Sequence, residues 1–284
     1  MPRTTGLSAA ALLLTLIAVT PLATAPAGAA QCEHPGGFEA WKADFKREAA
    51  ARGISTEALR SLDGVSYDAK VVALDRRQGV FKQSFEQFSA RMASAGRIQK
   101  GSRLLQRHAG LLSRIEQRFG VPGPVVVAIW GLETDFGANT GKHPALRALA
   151  SLAYDCRRTA MFQAELMDAL RIIDRGDLRP SEMRGAWAGE LGQTQFLPSS
   201  YVKFAVDFDG NGRRDLIRSV PDVLASTANY LRGYGWQRGQ PWTEGTNNFE
   251  VLRQWNKAQV YQRTIALLAS RIAGSRTAGS TGAN

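Results

Sequence analysis

The stretch Val125-Val126-Val127-Ala128-Ile129-Trp130-Gly131-Leu132-Glu133 carries almost no polar group before its last residue. A helix that is apolar on nearly every side is buried. The segment therefore reads as the central helix of a core, with a carboxyl at its C-terminal edge. Pro124 stands at a first-turn position, and Gly120-Val121-Pro122 closes the segment before it. Ile129 and Trp130 fall four and three residues ahead of Glu133, on the adjoining helical surface. Burial disfavours the charged form of a carboxyl, and the negative end of the helix dipole acts in the same direction. Such a Glu is expected to keep its proton near neutral pH. A protonated carboxyl beside an aromatic wall can donate to the leaving oxygen of a glycosidic bond. A structural Glu, capping or paired with one of the many arginines, is the other reading of the helix alone.

Helical periodicity extends on both sides. Phe38, Trp41, Phe45 and Ala49 recur at threes and fours until Gly53, and Phe81, Phe85 and Phe88 repeat the spacing. Leu104 to Phe119 reads as one amphipathic helix, with Leu105, Leu112, Ile115 and Phe119 on one face and Arg107, Arg114 and Arg118 on the other. Ala145–Leu152, Met161–Ile173, Pro221–Leu231 and Leu252–Ile272 read as further helices. Residues 177–218 look like long loops with at most a short hairpin. Residues 274–284, rich in Gly, Ser, Thr and Ala, are expected to be a disordered tail. The fold class is mainly α, with a small loop and β region. A helical N-terminal part (31–120) and a core (121–273) are read as one unit.

Two boundaries narrow the compartment. Arg3, the apolar run Leu7–Val19 and Ala27-Gly28-Ala29 form a secretory signal pattern over residues 1–30. The run is short of the ~20 residues a spanning helix needs, so a stable membrane anchor is not expected. Gln31 precedes Cys32 where lipoprotein signals resemble one another in having a small residue, which counts against a lipid anchor. A periplasmic location follows, and the two cysteines, Cys32 and Cys156, are expected to pair there. Two free thiols are the alternative. The chain of 284 residues has a formal charge of +11, and +10 without residues 1–30. That charge suits an acidic partner, and export counts against nucleic acid. The scattered His34, His108 and His143 form no ligand spacing.

The segment from Gly185 to Tyr201 interleaves glycines, aromatics and amides. Gln195 offers both donor and acceptor to a sugar. Trp187, Phe196 and Tyr201 are either flat faces for pyranose rings or core. Asp207-x-Asp209-x-Asn211-Gly212-Arg213 reproduces the first seven positions of a calcium loop, with Asp215 at position nine. Arg218 stands where the bidentate Glu should be, so a close EF-hand is excluded. A hydrogen-bonded Asp/Gly turn without metal remains the alternative.

Taken in order, Ile129–Gly137, the Gln195 loop, Val206–Gly212 and Ala228-Asn229-Tyr230-Leu231 resemble the motifs of lytic murein transglycosylases of the membrane-bound B type, over roughly 121–272. The resemblance implies a lysozyme-like core that cleaves peptidoglycan between N-acetylmuramic acid and N-acetylglucosamine, leaving 1,6-anhydro ends. It implies that Glu133 is the single acid/base and that Gln195, Tyr230, Trp255, Asn256 and Tyr261 line the glycan cleft. It also implies that Asp222 completes a structural calcium shell with Asp207, Asp209, Asn211 and the Arg213 carbonyl, no cofactor serving catalysis. Peptidoglycan strands are the expected partner and a monomer the expected state. Two departures stand out: Ala186 replaces a common Ser, and Glu190 places a second carboxyl where a small apolar residue is usual. A lysozyme-type hydrolase and a non-catalytic wall-binding protein remain competing readings.

Overall fold

The apolar stretch forms helix α7 (Gly123–Thr134), in which ten of the twelve residues are buried. In chain order it follows α1 (Gly37–Ala51), α2 (Thr56–Arg60), α3 (Ala69–Arg76), α4 (Phe85–Met92), α5 (Ala95–Arg107) and α6 (Ala109–Phe119). It precedes β1 (His143–Pro144), α8 (Ala145–Tyr154), α9 (Thr159–Asp174), β2 (Arg184–Gly185) and α10 (Pro198–Phe204). The chain ends with α11 (Val220–Gly233), α12 (Asn247–Trp255) and α13 (Gln259–Ser280). The computed structural model describes Met1, 34–77 and 83–280, with side chains to 274. The secretory signal, Cys32 and Phe81 lie outside the described residues.

A helix without a polar face has to be enclosed, and α7 is packed by α13, α5, α6 and α11. Its end is clamped. Asp135 and Phe136 both take left-handed backbone (φ 52° and 60°), and the Phe136 N–H donates back to the Trp130 carbonyl at 3.1 Å. Lys100 Nζ donates to Asp135 Oδ2 at 2.9 Å, which fixes the turn that follows Glu133. The reversal folds the Phe136 ring onto the helix. A Cβ on Gly131 would come within 2.6 Å of that ring, so only glycine fits there.

The N-terminal helices are continuous with this core. Phe38, Trp41, Tyr67 and Tyr154 join α1 to α8 through ring contacts of 5.5–5.8 Å. Trp41 and Phe45 are fully buried, and Phe88 is buried as its spacing suggests. Phe85 is half-buried, with the Arg263 guanidinium 4.0 Å above its ring.

Several expectations change. The single helix read over 104–119 is broken at His108, whose backbone (φ −103°, ψ 19°) ends α5 and starts α6. The single helix read over 252–272 is broken at Asn256, which adopts extended backbone. There the Asn256 side chain accepts the Ala258 N–H at 2.9 Å, a local bond that competes with helix continuation. Within 177–218 the loops contain a helix, α10, whose first residues are Pro198 and the Glu165-bonded Ser199. The β pairing also differs from a local hairpin, because β2 pairs antiparallel with β1, some forty residues earlier. Helix α13 runs on through residues 274–280. Two isolated glycines there cost only about 1 kcal/mol each, and no proline interrupts.

Of the expected cysteine pair, Cys156 lies between α8 and α9. The other half of the expected pair, Cys32, lies outside the described residues. No helix among the described residues is long and apolar enough to cross a membrane.

Candidate active site

Beside the end of α7 opens a cleft of about 410 Å³, lined by Glu133, Glu190, Gln195, Tyr230, Trp255 and Asn256 among others. Four separate segments build it: the α7 terminus, the Gln195 loop, α11, and the break between α12 and α13. The break matters because it turns Trp255 and Asn256 toward Glu133, where a continuous helix would carry them past.

Glu133 is held by one oxygen. Its Oε1 accepts the Trp255 indole N–H at 2.7 Å and the Tyr261 hydroxyl at 2.7 Å. Its Oε2 accepts no hydrogen bond from the described residues, and Glu133 has no arginine or lysine partner within 4.0 Å among them. The arginine-paired reading of this Glu is therefore not the one observed. Burial raises its pKa to about 7, against the opposing pull of the Trp255 and Tyr261 donors, and the negative charge of Glu190 adds to the rise. The carboxyl thus carries a proton over much of the range below neutrality, with one oxygen immobilised and the other available to the cleft.

The remaining site residues divide by what their polar atoms do. Gln195 takes left-handed backbone (φ 53°), unusual for a side-chain-bearing residue. Its amide nitrogen donates to the carbonyls of Thr140 at 3.0 Å and Gly192 at 2.8 Å. Only its carbonyl oxygen is left for a ligand, which narrows the donor-and-acceptor role expected of it. Tyr230 lines the cleft with its ring, while its hydroxyl donates to the Gln254 carbonyl. Its ring meets those of Trp255 at 4.9 Å and Phe196 at 5.7 Å, an aromatic wall for the cleft. Asn256 lines the cleft as expected. Tyr261 does not line it. It stands buried behind Glu133, as the second anchor of Oε1. Tyr201 is wholly buried and belongs to the core, and Ala186 contributes a bare methyl to the cleft wall.

Two positioning groups have no sequence expectation behind them. Gln193 accepts the Trp130 indole N–H at 2.9 Å, accepts the Thr134 hydroxyl through its backbone carbonyl at 2.6 Å, and donates to the Ile217 carbonyl at 2.9 Å. It ties α7 to the Gln195 loop and to the segment before α11. Glu165 accepts both the N–H and the hydroxyl of Ser199, at 2.8 and 2.7 Å, and so fixes the start of α10. An amide two residues before Gln195 was the only signal for the first. The second had none, since its partner lies 34 residues away.

The aspartate loop gathers at the other end of that segment. Asp207, Asp209 and Asp222 each offer a carboxylate oxygen, all within 4.8 Å of one another. Asp207 accepts the N–H groups of Gly210, Asn211 and Gly212. Buried Asp222 accepts those of Phe208, Asp209 and Asp215. Three hard oxygen donors in a pre-formed loop fit a divalent cation such as calcium. Asn211 sits in the same loop with its side-chain oxygen engaged by the Arg213 N–H at 3.0 Å. Asp215 turns away to pair with Arg218 at 2.8 Å, which explains how Arg occupies that position without facing the cluster.

Comparisons with known proteins meet this geometry. The profile described as transglycosylase SLT domain matches residues 37–246. The chain is 38% identical over 143 residues to membrane-bound lytic murein transglycosylase B of Escherichia coli, covering 50% of this chain and 39% of that protein. The aligned part thus spans well under half the length of that curated relative. SltB3 from Pseudomonas aeruginosa, solved in complex with NAG-anhNAM-pentapeptide, superposes with a TM-score of 0.79 at 32% identity, over 84% of this chain and 80% of that one. Slt35 of Escherichia coli, solved in complex with calcium, shares the fold at a TM-score of 0.75 and 24% identity, covering 83% and 93%.

Proposed function

The chain belongs to the transglycosylase SLT domain family, and from that premise we propose that it is a lytic transglycosylase acting on peptidoglycan. The observation that carries the proposal is the Glu133 carboxyl: set in a cleft, raised to about 7, and fixed through one oxygen by Trp255 and Tyr261. SltB3 was solved with a NAG-anhNAM-pentapeptide, and the same chemistry of substrate is proposed here.

Glu133 donates its proton to the bridging oxygen as the bond between that oxygen and the muramic C1 breaks. The positive charge that develops at C1 is stabilised by the sugar's own N-acetyl group. The now anionic carboxylate then takes the proton of the C6 hydroxyl, whose oxygen bonds to C1 and closes a 1,6-anhydro ring. Proton given and proton taken balance, and no water is consumed. One carboxyl acting twice in this way requires a pKa near the working pH. Gln195, Tyr230, Trp255 and Asn256 bind and orient the glycan, and Tyr261 positions Glu133 from behind without touching the glycan.

Residues 1–30 direct export to the periplasm, where a Cys32–Cys156 bridge forms. Asp207, Asp209 and Asp222, with Asn211 and the Arg213 carbonyl, hold a calcium ion whose contribution is structural. A chelator is then expected to lower the melting temperature and added calcium to restore it. An unchanged melting temperature would leave the loop a metal-free turn. Mass spectrometry of digested sacculi tests the activity: anhydro ends are expected. Reducing ends would make the protein a hydrolase, and binding without release would make it a wall-binding protein.

A further inference from the structure

A second cavity, also of about 410 Å³, shares no lining residue with the cleft. Its walls are Arg179, Glu182, Asn211, Arg213, Asp215 and Arg218, so three guanidiniums stand against two carboxylates. Both carboxylates are engaged within the wall. Glu182 Oε1 accepts from Arg179 at 2.5 Å and from Arg218 at 2.8 Å, while its Oε2 accepts the Arg179 backbone N–H at 2.9 Å. Asp215 Oδ1 accepts the N–H groups of Ile217 and Arg218, at 3.0 and 2.9 Å, and its Oδ2 accepts the Arg218 Nε–H at 2.8 Å.

The guanidiniums keep donors to spare. Among the described residues, Arg179 Nη1 and Arg218 Nη2 donate to nothing. The Arg213 side chain makes one hydrogen bond, from Nη2 to the Asp177 carbonyl at 3.5 Å. A guanidinium offers five N–H groups in a plane that matches a carboxylate two at a time. A cavity with its oxygens engaged and these donors free is suited to one further anion.

We propose that this cavity takes a free carboxylate of the peptide stem carried by the glycan strand in the cleft. The inference rests on peptidoglycan being the substrate.

The place of the cavity argues for that source. Its Arg179–Glu182 wall leads to cleft-lining Ala186 in four residues, a span of at most about 14 Å. Its other wall is bonded to the Gln195 loop. The Gln193 N–H donates to the Leu216 carbonyl at 2.8 Å, and the Gln193 side chain donates to the Ile217 carbonyl at 2.9 Å. An extended stem of four or five residues spans about 13–18 Å, enough to leave a muramic unit in the cleft and end among the arginines. Its terminal carboxylate, with an ordinary pKa of about 3.5, is ionised at neutral pH. Glu182 bridges Arg179 and Arg218 from separate segments, so two of the three guanidiniums are already held in place for it.

The test compares kcat/KM on strands with intact stems against the same strands stripped of stems by an amidase. Wild type, Arg179→Ala, Arg213→Ala and the double variant are measured; Arg213→Ala keeps the backbone carbonyl. Each single change is expected to lower the ratio of stem-bearing to stripped efficiency about three- to fivefold, the worth of one exposed ion pair. The double variant should lose about tenfold, and the wild-type preference should shrink with added salt. A ratio is insensitive to a uniform loss of folded protein. Stems with an amidated C-terminus should be handled alike by wild type and double variant. An unmoved ratio in the double variant would overturn the proposal. So would inhibition by inorganic phosphate that the double variant loses while the stem ratio stays fixed, which would make the cavity a phosphate site. A wild type that releases no anhydro product from either strand would instead remove the transglycosylase reading. Retention of stem-bearing over stripped strands, compared between wild type and double variant, would then still decide the cavity.

Discussion

Two carboxylate clusters in this molecule collect hydrogen-bond donors and reach opposite states. Glu133 receives two donors, and its pKa still rises to about 7, because burial outweighs both. At Asp207, burial pushes up as well, but the N–H groups of Gly212, Gly210 and Asn211 outweigh it, and the carboxyl falls below its ordinary range. The difference is access to water. Asp207 projects from a solvated loop, whereas Glu133 closes the end of an enclosed helix. Asp222 makes the point within one cluster: it accepts three N–H groups, as Asp207 does, yet is fully buried and raised. Shielding, rather than the number of donors, decides which carboxyl keeps a proton.

The contrast is broken most directly at Glu133. Replacement by Gln is expected to lower the release of anhydro-muropeptides by about 10²–10⁴-fold, the usual range for a general acid/base. Quantified product release from sacculi checks this, and a near wild-type rate would end the assignment. At the other cluster, Asp222→Ala leaves three backbone N–H groups without their buried acceptor. A loss of about 2–4 kcal/mol is expected, measured by urea denaturation. A change under half a kcal/mol would mean that water replaces the carboxylate freely.

The raised Glu133 pKa also predicts a trend in stability. Ionising this group is easier in the unfolded chain, where its pKa is ordinary, than in the folded one. Its share of stability is whole below about 4.5 and is lost as pH rises to about 7, then stays constant. Relative to wild type, Glu133→Gln should therefore gain about 1–3 kcal/mol between pH 5 and pH 8. Parallel denaturation curves at the two pH values would show no such linkage. The smallest effect sharpens the comparison. Tyr261→Phe removes one donor from Oε1, so the alkaline limb of the rate profile should move to higher pH. A downward shift would mean that the hydroxyl does not favour the ionised form.

Much of this could be read along the chain. The buried helix 125–133 with its terminal acid, the Gly-rich loop around Gln195, and the Asp207–Asn211 turn each depend on contacts between residues a few positions apart. The interruptions were harder to see. At His108 and Asn256 the flanking apolar spacing continues through the break, so periodicity alone cannot register it. The helix α10 is seven residues long, too short for a period to show inside a glycine-rich region.

Sequence by itself determined the acid's burial and the aspartate turn, since hydrophobic periodicity and the turn chemistry of Asp, Asn and Gly act locally. Tertiary structure alone decided the chemistry of Glu133. Its two donors stand 122 and 128 residues away, reached because the chain breaks at Asn256 and α13 returns along α7. It also brought Glu190 into the cleft and set Tyr261 behind the acid rather than in front of it. Contacts at such separation are fixed by how helices pack, and packing leaves no mark in the short-range pattern of residues.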